Sequence, residues 1–230
     1  MFLALFVVIT VIHLFFDLTH AHSAADATQV LLMPPLAWSL ISEWRRSTGG
    51  RPRPALVRLT LWALFFSWLG DTLPRFFDSD SDAGFIVMVL AFLCAQVSYI
   101  RGFAPYRHRS VRFHSRGWML FYVVALVVLW ALTVPDAGVM AVAVIIYGLC
   151  LTTMAIRATG VHLLTWIGGS IFMLSDGLIA LDAFDDSYHF GQQDFVVMLT
   201  YCVAQLLITR GVLATARETV PQDARAPLTA

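Results

Sequence analysis

Eight apolar runs joined by short polar connections occupy most of this chain and constrain it more than any other feature. They extend over Phe2 to Phe16, Thr28 to Ile41, Thr60 to Phe76, Gly84 to Phe103, Trp118 to Val134, Ala137 to Ile156, Val161 to Leu181 and Phe195 to Val212. A helix needs about 20 apolar residues to cross the hydrocarbon layer of a bilayer, and most of the runs approach that length. The second, Thr28 to Ile41, is the shortest. Hydrophobic residues make up 59% of the chain and charged residues 13%, which excludes an ordinary water-soluble domain. Few polar residues interrupt the runs, so helices rather than barrel strands satisfy the backbone. The sequence predicts an all-α polytopic membrane protein of eight transmembrane helices.

Arginine placement orients these spans. All 15 basic residues are arginines, balanced by 15 acidic residues. Arg45, Arg46, Arg51, Arg53 and Arg58 follow span two, and Arg101, Arg107, Arg109, Arg112 and Arg116 follow span four. Arg157 follows span six, and Arg210, Arg217 and Arg225 follow span eight, leaving Arg75 alone on the other side. Positive charge accumulates on the cytoplasmic side, so both termini are expected there in a multi-pass cell-membrane protein. Residues 1–214 read as one eight-helix domain and 215–230 as a polar cytoplasmic tail. Span one lacks a basic leader, although the alanine-rich stretch from Ala21 to Ala27 is cleavable in principle. Zero net charge gives no footprint for nucleic acid, and the basic loops suit anionic lipid heads. The absence of lysine excludes Schiff-base chemistry and a P-loop. Cys94, Cys150 and Cys202 are scattered through apolar runs, which indicates neither a disulfide framework nor a zinc site.

Acidic residues collect on the opposite face, among them Asp17, Asp26, Asp78, Asp80, Asp82, Asp136, Asp182, Asp185, Asp186 and Asp194. These read as solvated loops. The run Asp78, Asp80, Asp82 lacks the glycine and glutamate of a calcium loop, and His20 and His22 beside Asp17 and Asp26 fix no tetrahedral metal set.

The chain also repeats itself. Ala95-Gln96 precedes Arg101-Gly102 near the end of span four, and Ala204-Gln205 precedes Arg210-Gly211 at the same spacing near the end of span eight. Upstream of each stands an aspartate inside an apolar run, Asp71 in span three and Asp176 in span seven. Two parallel four-helix repeats, about 1–105 and 117–214, are therefore expected, related by an axis along the membrane normal.

An aspartate inside a span costs about 2.5 to 3.5 kcal/mol on insertion scales, so it must face the bundle interior, a partner or water. Asp71 lies roughly 16 Å along its span from Thr60, and Asp176 roughly 22 Å from Val161. Repeat symmetry can bring them together near the axis. Two carboxyls sharing a low-dielectric site hold one proton between them, leaving a neutral acid beside an ionised base. Asp71 and Asp176 are thus the candidate catalytic pair for general acid/base work. Alternatively, each accepts hydrogen bonds from helix neighbours: Ser67 and Arg75 share the Asp71 face, and an Arg75 ion pair would favour the ionised carboxylate. Gly169 shares the Asp176 face, where a missing side chain admits either a close helix or a ligand. Gln96 and Tyr99 in span four, with Tyr201 and Gln205 in span eight, can orient a polar ligand or simply bond between helices.

Together these motifs resemble the YhhN family of membrane lysoplasmalogenases. The resemblance runs through Thr28-Gln29-Val30-Leu31-Leu32-Met33-Pro34, Gly70-Asp71, Ala91-Phe92 with Gln96, Tyr99 and Phe103, Gly169 to Asp176 with Leu178 and Ala180, and Tyr201 with Ala204 to Ile208. Two positions depart from it: Gln29-Val30 stand where many members have Lys-Pro, and Gln96 stands where many have histidine. The resemblance implies hydrolysis of the vinyl ether bond of a lysophospholipid by Asp71 and Asp176 with no metal or organic cofactor. Gln29, Gln96, Tyr99, Tyr201 and Gln205 would position the headgroup or the water. A small proton-coupled transporter or lipid-binding membrane protein is the competing expectation, since parallel repeats and buried acids also suit transport.

Overall fold

The computed structural model describes residues 1–77, 82–185 and 187–219, and every regular element there is helical. Ten α-helices follow one another: α1 (Phe2–Leu18), α2 (His22–Gln29), α3 (Met33–Thr48), α4 (Ala55–Thr72), α5 (Asp82–Phe103), α6 (Val111–His114), α7 (Arg116–Thr133), α8 (Ala141–Ala158), α9 (Leu163–Phe184) and α10 (Gln193–Glu218). Six of them, α4, α5 and α7 to α10, are long and apolar enough to cross a membrane, and α1 is a shorter apolar helix. The chain is accordingly an all-helical, membrane-embedded protein. Asp78, Asp80, Asp186, Arg225 and the tail from residue 220 lie outside the described residues.

Three boundaries differ from the sequence expectation, each for a local reason. The run Thr28 to Ile41 is no single helix, because the chain turns at residues 30–32 between α2 and α3. Pro34 and Pro35 start α3, since proline tolerates a first helical turn but not a helix interior. Trp68 on α4 donates its indole N–H to the Val30 carbonyl at the turn, 3.0 Å away, so the break is not left unsatisfied. Next, the α-helical part of span three runs from Ala55 to Thr72 and tightens to a 3₁₀ turn over Leu73–Phe76, where Pro74 supplies no amide hydrogen. Finally, α10 continues to Glu218, so residues 215–218 are helix rather than tail.

Lipid tails are as apolar as leucine, so helices in a bilayer associate through close packing and polar links rather than through the hydrophobic effect. Both are present. The most extensively packed pairs are α4 with α5 and α9 with α10. Gly70 receives the Phe92 ring, and Gly168 lets α9 approach the α10 backbone so closely that an added Cβ would stand 2.9 Å from the Ala204 carbonyl oxygen. The glycines of the repeated Arg-Gly pairs occupy matching contacts, Gly102 against Leu59 of α4 and Gly211 against Thr165 of α9. Gly169, on the Asp176 helix, packs against Ala158 of α8, so its missing side chain serves close packing. Gly168→Val should therefore separate α9 from α10 at a cost of about 1 to 3 kcal/mol. Thermal unfolding in detergent should show a midpoint several degrees lower, and an unchanged midpoint would contradict this packing.

At the arginine-rich end of the bundle, Arg210 bonds both oxygens of Glu43 at 2.8 Å, and Arg217 reaches the same carboxylate. Arg157 caps the Ile100 carbonyl at 2.9 Å. These contacts tie α3 to α10 and α5 to α8 away from the aspartates.

Candidate active site

Asp71 is the penultimate residue of α4, and its carboxyl takes a donor on each oxygen. Gln29, the last residue of α2, donates Nε2–H to Oδ1 at 3.3 Å, and Tyr201 of α10 donates its hydroxyl to Oδ2 at 2.8 Å. The turn after α2 places Gln29 there, so the interruption of span two is what brings that side chain to the acid. Asp176, midway along α9, has a different arrangement. Tyr147 of α8 donates to its Oδ2 at 2.5 Å and Gln96 of α5 to the same oxygen at 3.4 Å. No described side chain donates to Oδ1. Each aspartate is therefore held by one phenol and one amide, but only Asp176 has an oxygen left open.

Both carboxyls line one cavity of about 270 Å³ and are close enough to interact electrostatically. Gln29 and Tyr201 line it as well, together with Asp17, His22, Asp26 and Asp194. A second cavity, about 370 Å³ and almost wholly apolar, lies between α5, α8 and α9. The two share Met88, Phe92, Ile179 and Asp176. Ile86, Leu90 and Val139, which line the apolar groove, are exposed on the flank of the bundle, so the groove opens where lipid tails would lie.

The remaining predicted residues stand behind this surface. Tyr99 donates to Gln205 Oε1 at 2.6 Å, and Gln205 Nε2 donates to Ser67 Oγ at 3.0 Å. Tyr99, Gln205 and Gln96 are completely buried, and none of the three lines either cavity. They lie one to two turns deeper in their helices, where they connect α5, α9, α10 and α4 rather than face the open space. Among the described residues Gln96 Oε1 finds no partner.

Arg75 does not form the ion pair with Asp71 that its spacing suggested. Its Nε–H donates to the Asp71 backbone carbonyl at 3.1 Å, its Nη2–H to Gln29 Oε1 at 2.7 Å, and Nη1 pairs with Asp26. The 3₁₀ turn after Thr72 ends the α-helical register that would have stacked Arg75 over the carboxylate. The guanidinium thus acts on Asp71 through Gln29, by fixing the amide orientation that sends Nε2–H to the acid. Among the described residues no group of three or more His, Cys, Asp or Glu is placed to hold a metal ion.

Tyr147 escaped the sequence reading, as did the apolar groove. A tyrosine in an apolar run is a common core residue, and the only available signal was that a buried phenol needs a partner. Asp17, expected in a solvated loop, is instead buried on the cavity wall, while Asp26 and Asp194 line the cavity and stay exposed.

The fold and this site define an all-helical membrane protein built around two interior carboxyl groups, with a polar chamber and an apolar groove meeting at one of them. Within that class the chain belongs to the YhhN family, whose sequence model matches residues 24–212. No curated protein and no solved structure matches it.

Proposed function

We propose that this protein is a membrane hydrolase that cleaves the vinyl ether bond of lysoplasmalogen-type lysophospholipids. The products would be a fatty aldehyde and glycerophosphoethanolamine or glycerophosphocholine. The supporting observation is the junction at Asp176 between the polar cavity and the apolar groove. A vinyl ether in such a lipid is the bond that separates a single hydrocarbon chain from a polar glycerol headgroup. With the chain in the groove and the glycerol in the polar cavity, that bond lies beside Asp176.

The hydrogen-bond pattern supports a division of roles. Asp71, with a donor on each oxygen, is stabilised as the ionised base, whereas Asp176 keeps Oδ1 open to carry a proton. Asp176 delivers that proton to the alkenyl carbon once removed from the ether oxygen, and the π electrons form the new C–H bond. The neighbouring carbon becomes an oxocarbenium centre. Water adds to it while Asp71 takes the water's proton, giving a hemiacetal. As the C–O bond to glycerol breaks, the proton on Asp71 passes to the departing oxygen and the hemiacetal hydroxyl returns its proton to Asp176. Both carboxyls end as they began. Tyr147 and Tyr201 hold the two acids in place, Gln96 and the Tyr99–Gln205–Ser67 chain brace them from below, and Gln29 orients Asp71.

The same proposal includes eight spans arranged as two parallel repeats, with both termini in the cytoplasm. Cross-connections between the halves support the repeat: Gln96 of α5 reaches the α9 acid, and Gln205 of α10 reaches Ser67, one turn before the α4 acid. On this arrangement the cavity is reached from the outer side.

Purified protein in detergent, supplied with a 1-alkenyl lysophosphoethanolamine, should release stoichiometric fatty aldehyde, and its saturated 1-alkyl counterpart should stay intact. Absence of aldehyde in detergent, with proton-dependent flux only in sealed vesicles, would instead mark a transporter.

A further inference from the structure

The polar cavity has to hold more than the reactive bond. On the hydrolase proposal it takes a glycerol phosphodiester, an anion, yet Asp17, Asp26, Asp71, Asp176 and Asp194 all stand on its wall. An anion brought among carboxylates is unfavourable unless a cation meets it. Among the described residues Arg75 is the arginine bonded to this wall, through Gln29 and Asp26. By sequence the other arginines stand at the opposite ends of the spans, whereas Arg75 follows α4 in the 3₁₀ turn Leu73–Phe76.

The three nitrogens of the guanidinium are not equivalent. Nε–H is spent on the Asp71 backbone carbonyl at 3.1 Å and Nη2–H on Gln29 Oε1 at 2.7 Å, the two contacts that fix the amide beside Asp71. Nη1 meets only the Asp26 carboxylate. The Arg75 side chain is 23% exposed and that of Asp26 64% exposed, so this pair lies at the rim and the carboxylate is free to turn into water. An exposed ion pair contributes little to stability. A phosphodiester oxygen offers Nη1 the same charge-assisted bond, and a guanidinium suits phosphate well. Exchanging Asp26 for phosphate on Nη1 leaves the other two bonds, and with them the orientation of Gln29, intact. The spacing agrees. Arg75 follows Asp71 by four residues, about one helical turn or roughly 6 Å toward the open side. In a lysolipid three carbons and one oxygen separate the ether oxygen from the phosphorus, a reach of the same order. With the vinyl ether bond at the acid pair, the phosphate arrives at Arg75.

We infer that Arg75 is the phosphate-binding residue for the lysolipid headgroup, with Asp26 the resident carboxylate that the phosphate replaces on Nη1. The assignment rests on the hydrolase proposal for the identity of the ligand. Asp26 thereby competes with the substrate, so removing its charge strengthens phosphate binding, which is the opposite of what a merely structural ion pair would do. The same exchange disfavours lipids that carry no phosphate, because they cannot replace the partner they displace.

The test uses binding, so that it stands apart from catalysis. Non-cleavable 1-O-alkyl lysophosphoethanolamine and its phosphate-free counterpart 1-O-alkylglycerol are titrated into the full-length protein in nonionic detergent, with intrinsic tryptophan fluorescence as the readout. The phospholipid should bind at least about fivefold more tightly than the alkylglycerol, and Arg75→Gln should bring the two within about twofold of each other without weakening the alkylglycerol. Asp26→Asn should tighten the phospholipid by about threefold and leave the alkylglycerol unchanged. Asp26 is exposed, so this variant tests the subsite even if Arg75→Gln fails to fold. Equal affinity for the two lipids in the wild type, or a phospholipid affinity that is unchanged or weaker in Asp26→Asn, would overturn the assignment. Inorganic phosphate alone should displace the phospholipid only weakly; displacement at concentrations as low as those at which the lipid itself binds would mark a free-anion site and overturn it too. Because neither lipid can be cleaved, a failed aldehyde assay would sink the hydrolase proposal while leaving this result to be judged separately.

Discussion

Asp176→Asn should lower aldehyde release by on the order of a thousandfold, and Asp71→Asn should do much the same, the range expected when a positioned acid or base is lost. An asparagine at 176 can still accept the Tyr147 hydroxyl, now 2.5 Å from the aspartate Oδ2, so the helix contacts survive while the transferable proton does not. At 71 the amide can accept from Tyr201 but cannot take a proton from water. The double variant should be no worse than either single one by more than a few fold, because the two groups serve one proton cycle and groups acting as a unit are not additive. Expression, monodispersity and thermal midpoint should be close to wild type, since neither substitution changes volume. A single variant with more than a tenth of wild-type activity would refute its assigned role.

The second large effect concerns the groove. Ala180 lines it one turn beyond Asp176 along α9, so Ala180→Phe would fill the path of the chain beside the reactive carbon. A long alkenyl chain would then be displaced by an ångström or more from the acid, and misplacement of that order costs about a hundredfold. A water-soluble substrate with a chain of only a few carbons does not need the filled part and should keep most of its turnover. Measuring kcat/KM across chain lengths gives the answer: a steep loss confined to long chains is expected, whereas an equal loss at all lengths would mean that the groove does not hold the chain.

How much of this was legible in the sequence depended on the kind of signal each residue gives. Asp71 and Asp176 stood out because a carboxyl in an apolar run is expensive and demands a reason. Gln29 was noticed only as a departure from a family pattern, and Gln96 also as part of the internal repeat, yet each donates to one of the two acids. Their placement carries a chemical consequence, since each carboxyl is held by a neutral amide beside its phenol. Arg75 brings a positive charge near Asp71 at one remove, through Gln29. Other features left no local mark. Tyr147 meets Asp176 only because α8 packs beside α9, and the groove is built from ordinary Phe, Ile, Leu and Val side chains whose meaning lies in the space between them. The break after Gln29 was half visible in Pro34-Pro35.

The most direct test of the central claim is the mass of the aldehyde released when the wild-type protein hydrolyses a 1-alkenyl lysophosphoethanolamine in D₂O, with borohydride trapping at once to prevent exchange. Proton delivery to carbon by Asp176 predicts one deuterium on the carbon adjacent to the former aldehyde carbon in the trapped alcohol, and no deuterated product from Asp176→Asn beyond the uncatalysed background. Aldehyde released without that deuterium, or no aldehyde at all, would contradict the account.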